Sequence, residues 1–185
     1  MEYFDLYNET AQKIGKQVPR GTKLLNGEYH LVVNVWIRNE KGEYLIQQRN
    51  KLTDIIPFMW ATTAGAVVAG DTSLKTALKE TLEEIGVVLI KENLKHVKRY
   101  FINDDFGNYI MDIYLIEQNV LLNELLLNKL EVKKCKYASM KEIITMIKNK
   151  TFWDYIKISQ DNNYFELIEK SWYNENLIYR RRFWK

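Results

Sequence analysis

Residues 65–87 read GAVVAGDTSLKTALKETLEEIGV, and the fold turns on where that stretch sits. A helix advances about 100° per residue, so side chains three and four apart share a face. In Lys79-Glu80-Thr81-Leu82-Glu83-Glu84 the three glutamates therefore point the same way. Leu74, Leu78, Leu82 and Ile85 fall on the opposite side as the expected core stripe. Like charges on one helical face repel by a few tenths of a kcal/mol per pair. A hard divalent cation such as Mg²⁺, which takes carboxylate oxygens together with substrate phosphates, would relieve that repulsion. The alternative is a plain solvated face, the ordinary use of glutamates on an amphipathic helix, and KETLEE alone does not separate the two.

The flanking residues add punctuation. A strand over 60–68 leads into Asp71-Thr72-Ser73, which supplies N-cap side chains and negative charge for a helix start. Gly86 stands where a helix C-terminus commonly takes a left-handed residue. With these glycines included, the stretch resembles the Nudix box, a signature of Gly, five residues, Glu, seven residues, then Arg-Glu-aliphatic-any-Glu-Glu-any-Gly-aliphatic. Gly65, Glu80, Glu83, Glu84, Gly86 and Val87 match it, while Asp71 replaces a Glu, Lys79 an Arg and Thr81 an aliphatic residue. Lys79 keeps the charge but lacks the planar fork with which arginine holds a carboxylate.

The resemblance implies an α/β fold, a Nudix α/β/α sandwich with a mixed β-sheet between helices. It implies a Mg²⁺-dependent hydrolase, with Mn²⁺ as the alternative ion, that cleaves the diphosphate of a nucleoside diphosphate linked to a group X. Glu80, Glu83 and Glu84 are then the catalytic carboxylates, with Glu80 or Glu84 as the first choice of base. The metal ligands are those three and the Gly65 carbonyl, with Glu131 as a further candidate; a solvated glutamate at a strand start is its other reading. On the substrate side, Arg49 suits phosphate because guanidinium binds it in two-pronged fashion, with a surface ion pair as the alternative. Lys79 and Trp60 complete that set, although Trp60, Phe58, Trp153 and Tyr155 are equally explained as packing.

A second resemblance lies upstream. FDLYNETAQKIG at 4–15, GEYHLVVNVWI at 27–37, YLIQQRN at 44–50 and PFMW at 57–60 are similar to isopentenyl-diphosphate-isomerase-like Nudix proteins. The competing function is isomerisation of a five-carbon diphosphate. The isomerase carries its active-site cysteine just after the Trp, whereas here Trp60 is followed by Ala61-Thr62-Thr63-Ala64-Gly65. A missing thiol removes that chemistry, so the chain reads as a hydrolase in an isomerase-like frame. A third reading is a non-catalytic nucleotide-binding module, kept open by Asp71, Lys79 and Thr81.

The 185 residues, 46% of them hydrophobic and two of them proline, suit one domain over 1–185. Its core spans about 28–150, with 1–27 and 151–185 as additions. A net charge of +3 is too small to imply nucleic acid, and Arg180-Arg181-Arg182 among Tyr179, Phe183 and Trp184 reads more simply as solvated arginines on packed rings. Cys135 is the lone cysteine, without an internal partner, as expected in a reducing cytoplasm. The acidic start lacks an apolar signal core, and no run reaches the ~18 apolar residues of a membrane span. The partner expected is a small-molecule diphosphate. The aromatic-rich ends either pack on the body or form a homodimer interface.

Strands are expected over 29–38 and 43–49 with a turn at 39–42, and over 96–103 and 109–118 as a hairpin. A further strand over 132–138 makes Cys135 a small buried hydrophobe. Ser139 with Glu142 forms a capping box for a helix over 140–149, and a last helix spans 161–173. His30, at the head of a strand, has no second histidine or cysteine at ligand spacing and reads as structural.

Overall fold

The computed structural model describes residues 1–50, 57–105 and 107–171. The chain forms two compact units, 1–153 and 154–185. In the first, β1 (Tyr3–Tyr7), β2 (Lys13–Pro19), β3 (His30–Arg38), β4 (Tyr44–Arg49), β5 (Trp60–Ala61) and β6 (Thr63–Ala66) precede α1 (Ser73–Ile85). They are followed by β7 (Lys95–Asp104), β8 (Gly107–Glu117), β9 (Val132–Ala138) and α2 (Met140–Lys148). The second unit holds α3 (Tyr155–Ser159), N-capped by Asp154, and a helical segment over 164–171. Tyr155 and Tyr164 stack there at 5.4 Å. The expected helix over 161–173 thus begins at 164; its last two positions and the Arg180-Arg181-Arg182 cluster lie outside the described residues.

The sheet is mixed, as expected. β3 runs parallel to β8 along its full length and antiparallel to β6, and β7–β8 is the expected antiparallel hairpin. β4 lies between β5 and β9 but touches β3 only at Arg38↔Tyr44. The sheet therefore splays into two blades hinged at that pair. This splay corrects the single strand expected over 60–68. A chain that serves both blades must change partner, and it does so at Thr62, where buried Asn34 Nδ2 donates to Thr62 Oγ1 at 2.6 Å.

One face of β3 sends Leu31, Val33, Val35 and Ile37 into a core with Leu45, Ile110, Tyr114, Ile116, Ala77 and Ile85. The other face carries Trp36, which meets Tyr44 edge-on at 5.3 Å and lies near buried Phe152. The residues after α2 return along β5, with Trp60 N–H donating to Thr151 O and Trp153 N–H to Trp60 O. The capping box of α2 is formed as expected: Ser139 accepts from Glu142 N–H while Glu142 accepts from Ser139 N–H.

Residues 1–27, for which the sequence suggested no elements, form the β1–β2 hairpin and brace the approach to α1. Tyr3 O accepts from Ala69 N–H, and Asp5 accepts from Gly70 N–H, Lys13 and Gln17. Burial opposes ionisation of Asp5, but these donors outweigh it and hold its carboxyl down at about 2. Phe4 stacks on His30 at 4.8 Å, and burial pushes that imidazole down to about 4, so His30 is neutral and structural. Among the described residues no helix is long and apolar enough to cross a membrane.

Thr72, rather than Asp71, caps α1 by accepting from Lys75 N–H. At the other end Gly86 adopts φ 74°, and its N–H returns to Leu82 O at 2.9 Å. A Cβ on Gly86 would fall 2.9 Å from the backbone nitrogen of Leu126, whereas Gly70, also at positive φ, has open space around it. Gly70→Ala should therefore cost about 1 kcal/mol, the backbone penalty alone. Gly86→Ala should cost about 1–3 kcal/mol more through overlap with a backbone that cannot yield cheaply. Urea denaturation midpoints of the two variants check this, and an equal loss in both would contradict the packing at Gly86.

Candidate active site

Helix α1 buries Thr76, Ala77, Thr81, Glu84 and Ile85, while Leu82 is 51% exposed. The expected stripe of Leu74, Leu78, Leu82 and Ile85 is thus rotated toward the glutamates. Small side chains explain the rotation: Ala77 and Thr81, both at 0% exposure, let the helix axis come close to the sheet, which four leucine-sized side chains would hold off. Thr81, a departure from the Nudix box, also ties its hydroxyl to Ala77 O. Gly65 on β6, opposite Val33 of β3, completes the approach. A Cβ there would overlap the Cγ, Cδ and Oε1 of Glu80, the last at 2.8 Å.

The three glutamates are consequently unequal. Glu84 is 3% exposed and accepts from Gln47 Nε2 at 2.7 Å. Burial pushes its carboxyl up to about 8, with the charges of Glu80 and Glu131 adding to the rise and Gln47 and Arg49 opposing it. Glu80 is partly buried and is pushed to about 7, first by desolvation and then by Glu83, Glu131 and Glu2, against Lys79. Glu83 stands in solvent with Lys79 Nζ at 3.7 Å, a weak exposed pair. Among the described residues no three Asp, Glu, His or Cys side chains converge to hold a metal by themselves. Glu80 and Glu84 share the core edge, and Glu83 lies outside it because the helix has turned.

Glu131, just before β9, reaches this edge electrostatically; it is exposed and accepts from Asn128 Nδ2. Arg49 lies on the Gln47 side of β4, since alternate residues of a strand share a face, and its charge is felt by Glu84. Trp60 does not join them. It pairs with Gln48, on the opposite face from Gln47, and its ring lies under Lys134 Nζ at 5.4 Å and Lys136 Nζ at 5.1 Å. Asp71 is held by Lys75 at 2.5 Å. Cys135, half-buried and paired in register with Gln47, has its thiol pushed up to about 12 by burial and Glu84. It is a protonated packing group, as expected.

The residue that sequence reading missed is Gln47. Strand alternation in YLIQQR puts Gln47 and Arg49 on one side and Gln48 on the other, but nothing local says which side meets α1. The donors that converge here are hard oxygens, with Glu80 and Glu84 one turn apart and backbone in contact at Gly65. They fit a cation that keeps several waters and completes its shell with substrate phosphates, such as Mg²⁺, better than one that needs an all-protein cage.

The NUDIX domain family matches residues 28–159. An uncharacterized Nudix hydrolase of Listeria monocytogenes is 34% identical over 161 residues, covering 86% of this chain and 93% of that protein. Among solved structures, DR0079 of Deinococcus radiodurans superposes with a TM-score of 0.68 at 20% identity, over 91% of this chain and 98% of that one. The NUDIX domain of Shewanella oneidensis NrtR, solved with ADP ribose, gives 0.57 at 15% identity, over 86% and 93%.

The two raised carboxyls set a sign for pH. From the ordinary 4.5 up to about 8, the metal-free folded state keeps protons that the unfolded chain has released. Stability should therefore fall as pH rises through that window, less steeply below about 6.5 where His30, held neutral, contributes in the opposite sense, and level off above it. Thermal denaturation in chelator across the window should show the decline, and Glu84→Gln should remove the larger part of it. A flat parent profile would contradict the burial of these groups.

Proposed function

The chain belongs to the Nudix hydrolase family, and from that premise we propose that it hydrolyses the diphosphate of a nucleoside diphosphate linked to a group X, using Mg²⁺. The observation that carries this reading is the pair Glu80 and Glu84, desolvated and one helical turn apart, with Glu80 pressed against Gly65. Two such carboxylates with like-charged neighbours favour a cation between them.

In this reading Glu80, Glu84 and the Gly65 carbonyl hold the metal, with Glu131 and Glu83 at its margin. A divalent ion there supplies neutralisation of charge on the phosphoryl oxygens and an acidified water. Arg49, on the same face, meets a phosphate with its guanidinium fork. Glu80 or Glu84 would take the proton of the attacking water. The water oxygen bonds to phosphorus as the bridging P–O bond breaks, leaving two phosphorylated products. The Shewanella protein was solved with ADP ribose, a molecule of the proposed class. Isomerase chemistry is disfavoured by the Ala-Thr-Thr sequence after Trp60 and by the inert Cys135 thiol. The lone cysteine suits a reducing, cytoplasmic setting.

A phosphate-release screen over nucleoside triphosphates, dinucleoside polyphosphates, nucleotide sugars and CoA derivatives, with and without Mg²⁺, should find a metal-dependent substrate. On it, Glu80→Gln and Glu84→Gln should each lower turnover by about 10²–10⁴-fold, the range for loss of a general base. Glu83→Gln should cost less than either. Turnover of Glu84→Gln close to that of the parent would overturn the assignment.

A further inference from the structure

We propose that Gln47 is a positioning residue of this site: it fixes the orientation of Glu84 through its amide N–H and offers its Oε1 to a water at the same edge. The proposal rests on the hydrolase reading above and adds a residue from outside the Nudix box to it.

Gln47 lies at the middle of the smaller blade. Its backbone is paired with Ala61 of β5 on one side and Cys135 of β9 on the other, so it sits on a rigid element. Functional groups on such elements are held more precisely than those on loops. The side chain is 3% exposed, and its Nε2 lies 2.7 Å from Glu84 Oε2, within hydrogen-bond distance. A carboxylate that binds metal must be ionised, and an ionised carboxylate only accepts. The amide therefore has one orientation open to it: nitrogen toward Glu84, oxygen away. One oxygen of Glu84 is committed to Gln47, and Oε1 of Glu84 is left for the metal edge.

The oxygen of Gln47 is buried and has no hydrogen-bond partner among the described residues. Leaving such an acceptor bare costs about 1–3 kcal/mol. Neither register neighbour offers a strong donor: Ala61 has none, and a thiol such as Cys135 is a weak one. A site residue whose amide merely satisfied Glu84 could have been any donor, whereas glutamine brings an acceptor as well. A water beside Glu84 would satisfy it and would itself be oriented by the pair.

The test uses the full-length chain and two readouts. Gln47→Met keeps the volume and removes both polar groups; Gln48→Met, on the opposite face, is the control. Mn²⁺ affinity measured by electron paramagnetic resonance should weaken by about 10–100-fold in Gln47→Met, the usual effect of losing a group that orients a ligand. At saturating metal, kcat should fall by a similar factor with KM little changed, and Gln48→Met should match the parent in both readouts. If Gln47→Met does not fold, Gln47→Asn, with the same amide withdrawn by one methylene, carries the same expectations. A folded Gln47→Met with parental Mn²⁺ affinity and kcat would show a packing role only and overturn the proposal. A parent that binds Mn²⁺ but hydrolyses no diphosphate would instead overturn the hydrolase reading, because the affinity is read without turnover.

Discussion

The close approach of α1 to β6 governs the rest of this molecule. It is made by absence of bulk: Gly65 on the strand, and Ala77 and Thr81 on the helix. Because those positions are small, the helix rolls until Glu84 faces the core and Glu80 lies against the Gly65 backbone. Larger residues would have lifted the helix and left all three glutamates in water, where neighbouring carboxylates are commonplace and inert.

Electrostatic character follows from that packing. Burial is the largest cause of the rise at both Glu80 and Glu84, and the neighbouring carboxylates add to it. One helical turn thus holds two carboxylates desolvated and close to neutrality of charge, with Glu83 beside them in solvent at ordinary cost. The distinction is made by about one hundred degrees of helical rotation, the difference between adjacent residues. The N-terminal hairpin contributes from a distance, since Tyr3 and Asp5 hold the loop that delivers α1 to the strand.

Much of this was legible beforehand. The strand–loop–helix order, the left-handed Gly86, the Ser139 capping box and the β7–β8 hairpin each depend on contacts within a few residues, which local patterns record. The structural reading of His30 was legible because it has no partner at ligand spacing, and that of Cys135 because the lone cysteine lies within a strand. Other features were not. The break at Thr62 depends on two blades diverging, the placement of Trp60 on the far face depends on register with Gln48, and the roll of α1 depends on what the sheet presents to it. Each needs residues far apart in the chain.

The sequence by itself determined the family, the chemistry of the donor set and the positions of the glycines that let backbone and carboxylate meet, because those are matters of residue type and spacing. Only the tertiary structure decided which glutamates lose their water and which side chain from another strand meets them. Helical periodicity puts Glu80, Glu83 and Glu84 on one face, but a face has a width. Packing selected two of the three, and brought Gln47 to Glu84 across thirty-seven residues of chain, because desolvation is a property of the assembled core and not of any stretch within it.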